Sequence, residues 1–338
     1  MLTIYDIAKK AGVSAATVSK VLNGRSDVGQ KTVEKVKRIT EELGYYPNSV
    51  ARGLATKKSK TVGIFFEDHL NSGFRHPFFQ DILASFKDVI GERGYDLFFF
   101  TNNHPENKIN TFGDRAIHRN VDGLFLLGVP RTDENLDSIV RSGIPCMSID
   151  LDLVGPRANY LTSDNVGGAV IALEYLIEMG HKDIAFITDY FSTKPGHDRL
   201  EGYKQTMKKH GLSINNSWIE LSDFTEQGGY RSTVKLLSAA STPTAIFCAG
   251  DMMAIGAMRA ISEKGFKIGE DISVIGFDDV NLLTYITPKL TTVRQKKDIM
   301  GATAAKELLK MMEDSNYSPS PFTIDTELVI RDTVSKLN

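Results

Sequence analysis

Hydrophobic positions along the first 46 residues recur at three- and four-residue spacing in three short blocks. Ile4, Ile7, Ala8 and Ala11 form the first, Val18, Val21 and Leu22 the second, and Val33, Val36, Ile39 and Leu43 the third. That spacing puts each set on one face of a helix. Thr3 with Asp6 three residues on has the capping-box arrangement, Gly12 suits a turn that needs positive φ, and Ser14 stands where it can cap the second helix. The third helix runs from about residue 30 to Leu43 and stops at Gly44. Ala15, Ala16, Ser19 and Lys20 fall on the outward face of the second helix. Helix, glycine turn, helix is the helix-turn-helix pattern, although two-helix hairpins also occur without DNA.

The next stretch, PNSVARGLAT at 47–56, is polar and basic like a linker, yet Val50, Ala51, Leu54 and Ala55 keep helical spacing and Asn48 stands at an N-cap position. Two turns of helix do not hold alone in water, because nucleation is costly. From Thr61 the period changes. VGIFF, YDLFFFT, VDGLFLL, IPCMSID, KDIAFIT, TAIFCAG and DISVIGFD read as buried strands. They alternate with helical segments such as FFQDILASFKDVIGERG, whose stripe is Phe79, Ile82, Leu83, Phe86, Val89 and Ile90. This alternation predicts parallel sheets flanked by helices, and its length predicts two α/β lobes parting near Leu161. Ligands of such sheets sit beyond the carboxyl ends of strands, here Phe66, Asp150, Asp189, Asp251 and Asp278.

Composition narrows the function. At 338 residues with 41% hydrophobic and 24% charged residues, the chain has the make-up of an ordinary soluble protein. It contains no apolar run long enough to span a membrane, and MLTIYDIAKKAG lacks the apolar core of a secretory signal. Cys146 and Cys248 sit inside apolar runs and read as buried free thiols in a reducing cytoplasm. The net charge of −2 conceals an asymmetry: residues 1–60 carry +7 and residues 61–338 carry −9. A basic head on an acidic body points the head at a polyanion. G-x-G, G-x-S-x-G and H-E-x-x-H are absent from the sequence, and GRSDVGQ at 24–30 lacks the lysine of a phosphate-binding loop. An enzyme is therefore not expected, nor a cofactor or a metal. Asp68, His69 and His76 in the polar stretch 67–79 have no metal-ligand spacing, and this loop reads as solvated or substrate-touching.

TIYDIAKKAGVSAATVSKVLNG followed by KTVEKVKRITEELGYYPNSVARGLAT closely resembles the DNA-binding head of the lactose/galactose repressor family. RLEGY, GDMMAIGAM, DISVIGFDD and PKLTTVRQ extend the resemblance through the body, so it covers nearly the whole chain. The resemblance implies a small all-α helix-turn-helix head plus a two-lobed, periplasmic-binding-protein-like α/β body with parallel sheets. It implies the division 1–46 for the head, 47–60 for a hinge helix and linker, 61–161 plus 294–322 for the first lobe, and 162–293 plus 323–338 for the second. It further implies a cytoplasmic, homodimeric transcriptional repressor of pseudo-palindromic operator DNA, controlled by a sugar or sugar phosphate.

Residue by residue, the same resemblance puts Ala15, Ala16 and Lys20 against base edges and Leu54 as a wedge in the minor groove. Thr3, Ser14, Thr17, Asn23, Thr32, Tyr45 and Asn48 match phosphate-touching positions, and capping is a second role open to Ser14 and Thr17. Asp27 departs from the pattern, since a carboxylate there repels phosphate. For the effector, Arg199 and Asp278 match a pair able to grip vicinal hydroxyls, with Asp150 as a further polar contact and Phe78, Phe79 and Phe224 as aromatic ones. Phe79 fits core as well as pocket, and Asp150 also fits a cap. Gly250 stands where some relatives carry an asparagine, so that contact is not carried over.

Overall fold

The computed structural model describes residues 2–22, 24–45, 58–66, 73–101, 111–189, 193–317 and 320–337, and among these the amino-terminal unit contains three short helices. Asn23, the expected hinge residues Asn48, Val50, Ala51 and Leu54, and Asp68 and His69 lie outside the described residues. The chain divides into two units, Met1–Lys60 and Thr61–Asn338.

In the first unit the helices are α1 (Ile4–Ala11), α2 (Ala15–Leu22) and α3 (Gln30–Glu42). The Asp6 carboxylate accepts hydrogen bonds from the Thr3 backbone N–H and hydroxyl, each at 2.8 Å. Gly12, at φ 64, ends α1 in the left-handed region, where a side chain is strained. Ser14 Oγ accepts from the Thr17 N–H at 3.0 Å and so caps α2. Ile7, Ala8, Ala11, Val18, Val21, Val36 and Ile39 close into one core, with Ile4, Leu22, Val33 and Leu43 packed around it. Each helix is too short to stand alone, so this shared burial holds all three.

The second unit contains two six-stranded sheets. The first is built from β1 (Thr61–Phe66), β2 (Asp96–Phe100), β3 (Gly123–Leu127), β4 (Cys146–Ile149), β5 (Ala158–Ser163) and β11 (Phe322–Ile324), in the order β11-β5-β4-β3-β1-β2 and wholly parallel. The second is built from β6 (Ile184–Asp189), β7 (Ile219–Ser222), β8 (Ala245–Cys248), β9 (Ser273–Asp278), β10 (Thr291–Arg294) and β12 (Glu327–Val329), in the order β12-β10-β9-β8-β6-β7. Only β12 runs antiparallel, against β10. The chain thus crosses between sheets at Asp164, at Gln295–Lys296 and at Asp325–Thr326. Leu161, where the alternation suggests a break, is a buried residue within β5, and Thr162 and Ser163 still belong to the first sheet.

Helices α4 (Pro77–Glu92), α5 (Phe112–His118) and α6 (Leu136–Ser142) serve the first lobe, and α7 (Asn165–Glu178), α8 (Lys194–Lys209), α9 (Glu226–Leu237) and α10 (Asp251–Glu263) the second. α11 (Lys297–Glu313) follows a second-lobe strand yet packs Met300, Ala304, Ala305 and Leu308 into the first-lobe core. On α4 the fully enclosed stripe is Phe78, Ile82, Phe86 and Ile90, four residues apart, and Phe86 stacks on Phe125 of β3 at 3.8 Å. Phe79, Leu83 and Val89 flank it, half-buried. Phe78, expected as a ligand contact, is buried in the core, whereas Phe79, which fits core as well as pocket, is half-buried at its edge. Cys146 and Cys248 are buried free thiols on central strands.

Helices α9 and α10 cross at two glycines. A methyl on Gly256 would run into the Glu226 carbonyl, and one on Gly229 into the Met253 backbone. Gly256→Ala improves helix propensity by about 1 kcal/mol but overpacks this crossing, so a net destabilisation of about 1–2 kcal/mol is expected in urea denaturation. A stabilised variant would show that the crossing yields freely.

Candidate functional site

The carboxyl ends of the strands carry unusual backbone. Among the described residues, Asp150 after β4 (φ 56), Phe224 (φ 56), Asp278 at the end of β9 (φ 123) and Asp279 (φ 51) lie at positive φ. Such conformations cost on the order of 1–3 kcal/mol each and persist only where surroundings over-determine them. At Asp278 and Asp279 the determinant is Lys297, in the first turn of α11. Its buried ammonium donates to the Asp278 carbonyl at 2.8 Å and to the Asp279 carbonyl at 2.9 Å. The Asp279 carboxylate is held in turn by Arg294 at 2.7 Å and Arg331 at 2.6 Å, and these bonds keep its pKa below the ordinary carboxylate value against the opposing effect of burial.

Arg199 of α8 is the centre of the site and is only 2% exposed. Its guanidinium lies 3.6 Å over the Phe277 ring, donates to the Ala249 carbonyl, and stands 3.8 Å from Asp278 Oδ1. Its Nε donates to Asn165 Oδ1 at 2.9 Å, and Asn165 Nδ2 donates to Thr162 Oγ1 at 3.1 Å. The Thr162 hydroxyl then donates to Asp150 Oδ1 at 2.6 Å. One hydrogen-bonded chain thus runs from α8 of the second lobe, through the crossing at Asp164, to the end of β4 in the first. On its other side Asp278 Oδ1 accepts from Gln295 Nε2 at 2.6 Å, and Gln295 Oε1 is buried with no hydrogen-bond partner. The arrangement presents a buried cation between carboxylates from opposite lobes, which suits a ligand rich in hydroxyls.

Asp150, Arg199 and Asp278 are therefore brought together. Phe224 joins them: a β-carbon on Gly250 would stand 3.0 Å from the Phe224 ring and 3.7 Å from Asp278 Oδ2. The ring occupies the side where an asparagine at 250 would project. Phe79 sits at the carboxyl edge of the first sheet in an aromatic group, 5.0 Å from Phe66 and 5.7 Å from His76 by ring centroids. His76 caps α4, its Nδ1 accepting from the Phe78 N–H at 3.3 Å. Asp251 is structural: it is fully buried and accepts from the Val280 N–H at 2.9 Å and the Thr292 hydroxyl at 2.6 Å. Asp189 accepts from the Thr193 N–H at 3.1 Å, just ahead of α8. Asn165, Thr162 and Lys297 also belong to this network and carry no functional signal in the sequence, whereas Gln295 carries one as the last residue of PKLTTVRQ.

In the head, Ala16 and Lys20 are exposed on α2, whereas Ala15 is half-buried against the core, so its methyl is only partly available. Thr3 and Ser14 are exposed at the starts of α1 and α2, Thr17 and Thr32 are half-buried in the first turns of α2 and α3, and Tyr45 is half-buried after Gly44. Lys20 Nζ bonds Asp27 Oδ2 at 2.6 Å.

Burial pushes the Asp150 carboxyl above its ordinary value, with the Thr162 hydrogen bond and Arg199 opposing. A carboxyl raised on folding holds its proton longer in the native state, so its contribution is present below the unfolded value of 3.8 and is lost as pH rises through the native one. Asp251 acts with the same sign. Asp150→Asn is therefore expected to flatten the fall of stability with rising pH just above 3.8, read by chemical denaturation at stepped pH. An unchanged slope would place the Asp150 carboxyl in water.

The model of bacterial regulatory proteins of the lacI family matches residues 3–48, and that of a periplasmic binding protein-like domain matches residues 173–334. The chain is 34% identical, over its full length and that of the relative, to the HTH-type transcriptional repressor PurR of Histophilus somni (strain 129Pt). Among solved structures it is similar to the lac repressor dimer bound to operator and the anti-inducer ONPF, with 28% identity, 99% of each chain covered and a TM-score of 0.85. It is also similar to the transcriptional regulator CelR in complex with cellobiose, with 29% identity, 98% of this chain and 100% of that one covered, and a TM-score of 0.75. With a helix-turn-helix head, a two-sheet body and full-length identity of this order, the chain belongs to the lacI family of bacterial regulatory proteins.

Proposed function

We propose that this protein is an operator-binding transcriptional repressor, working in the cytoplasm, whose hold on DNA is set by a small carbohydrate bound between its two lobes. The observation that carries the reading is Arg199, buried between Asp278 and the Asn165–Thr162–Asp150 chain. A ring with vicinal hydroxyls, free or phosphorylated, finds donors and acceptors there from both lobes, and Phe224 and Phe79 supply apolar faces. The known relatives fit this reading, one solved on operator and another with cellobiose.

On the DNA side, α2 enters the major groove, with Lys20 donating to guanine and Ala16 and part of Ala15 meeting thymine methyls. Thr3, Ser14, Thr17, Asn23, Thr32, Tyr45 and Asn48 touch phosphate. The segment 47–60 serves as a hinge, Leu54 entering the minor groove, so that deformability supplies what two alanines cannot read. One short reading helix needs a second copy, hence a homodimer on a pseudo-palindromic site.

The second lobe offers a face for that copy. Leu282 and Tyr285, 42% and 85% exposed, precede a shallow pocket lined by Ile255, Met258, Ile268 and Ile286. Tyr285→Asp is expected to shift the protein from dimer toward monomer in sedimentation velocity, with DNA binding weakened in parallel; a dimer as tight as wild type would move the interface elsewhere. The effector reading is tested by a thermal-shift screen of mono- and oligosaccharides and their phosphates, followed by calorimetry. Asp278→Asn should lower affinity for the stabilising sugar about 10- to 100-fold, the worth of a charge-assisted hydrogen bond. Unchanged affinity would remove Asp278 from the site.

A further inference from the structure

The ion pair on the DNA-facing helix has a role that its position makes legible. The loop after α2 folds back on the helix end: the Gly24 N–H donates to the Val21 carbonyl at 3.1 Å and the Arg25 N–H to the Lys20 carbonyl at 2.9 Å. Val28 packs against the head core and anchors the other end of the loop. Between these anchors Asp27 is brought against Lys20, Oδ2 to Nζ 2.6 Å, with both side chains about half exposed at 56% and 51%. Asp27 is the only acidic residue between Asp6 and Glu34, a span that holds Lys9, Lys10, Lys20, Arg25 and Lys31. The Lys20 hydrogen bond holds the Asp27 carboxyl below its ordinary range.

Resting on the proposed operator-binding function, we infer that Asp27 is a specificity-determining residue: by holding Lys20 it suppresses attraction to arbitrary phosphate while leaving the lysine able to read guanine. An ammonium has three donors. Asp27 takes one, and two remain for guanine O6 and N7. The bond also restrains a flexible side chain before DNA arrives, which lowers the entropy lost in meeting a base. Non-specific binding, by contrast, follows the number of cations free to replace counterions, and a paired lysine beside a carboxylate contributes little to it. Exposed pairs of this kind add little to folding stability, so removing this one leaves the head folded.

The test uses the full chain as wild type, Asp27→Asn, Lys20→Ala and the double variant. In vitro selection from a random duplex library by the wild type yields a preferred duplex. Affinities for that duplex and for a mixed-sequence duplex of equal length are then measured by fluorescence anisotropy between 50 and 200 mM KCl. Asp27→Asn should melt at the wild-type temperature. It should bind mixed sequence about 5- to 10-fold more tightly near 0.1 M salt, and its slope of log affinity against log salt should steepen by about one. Affinity for the selected duplex should rise less, so the ratio between the two falls. The lost preference should concentrate at the base position that Lys20→Ala erases, and Asp27→Asn should not change that position further in the Lys20→Ala background. Equal factors on both duplexes, or an unchanged salt slope, would overturn the role of Asp27 alone. A wild-type protein that selects no sequence would overturn the function and, with it, this inference.

Discussion

A guanidinium almost wholly removed from water organises the body of this protein. Arg199 is always charged, and a buried charge is tolerated only when every side of it is answered. Here the ring of Phe277, the Ala249 carbonyl, the Asn165 amide and the Asp278 carboxylate answer it. Burial lowers the Arg199 pKa from its very high ordinary value, while Asp278, Asp150, Asp251 and Asp189 oppose the shift. Because those partners come from β9, the β8 end and the first crossing, one charge ties these three places together.

The same charge explains why the two lobes are coupled at this point. Asn165 and Thr162 carry the hydrogen bonding from Arg199 to Asp150, and Lys297 reaches from a first-lobe helix to the last carbonyl of β9 and the one after it. Arg199, Asp150 and Asp278 are therefore linked across both lobes and beside two of the crossings. Left-handed backbone at Asp150, Phe224, Asp278 and Asp279 turns these residues into the cleft edge instead of letting the strands run on. Asp150 does so after a strand of the first sheet and the other three at or after strands of the second, and strain of this kind persists only where the surroundings over-determine it.

The head follows a different economy. Its core is a few small aliphatic residues shared among three short helices, leaving α2 free to present Ala16 and Lys20. Phosphate contacts position a protein without reading sequence, so a helix that presents few polar side chains makes each one it does present count for more. In a span otherwise basic, a single carboxylate beside that lysine weighs heavily.

Much of this was legible in the residue pattern. Period and caps located α1 to α3, and the inward sets Ile7–Ala8–Ala11, Val18–Val21 and Val36–Ile39 are the observed core, because a three-helix core admits few alternatives. Strand–helix alternation established the α/β body, and aspartates at strand ends marked the cleft. The burial of Phe78, the extension of β5 past Leu161 and the structural use of Asp251 were not legible. Helix phase, strand ends and burial at those places are set by packing against distant segments, α11 against α4 above all. The sequence by itself determined the elements, the head, the charge asymmetry and the chemistry available to the cleft, since these depend on local spacing and residue type. Tertiary structure alone decided that Arg199 reaches Asp150 through Asn165 and Thr162, that Lys297 holds the end of β9, and that Asp27 holds Lys20. Each of those contacts exists only once the fold has closed the distance between residues that sequence keeps apart.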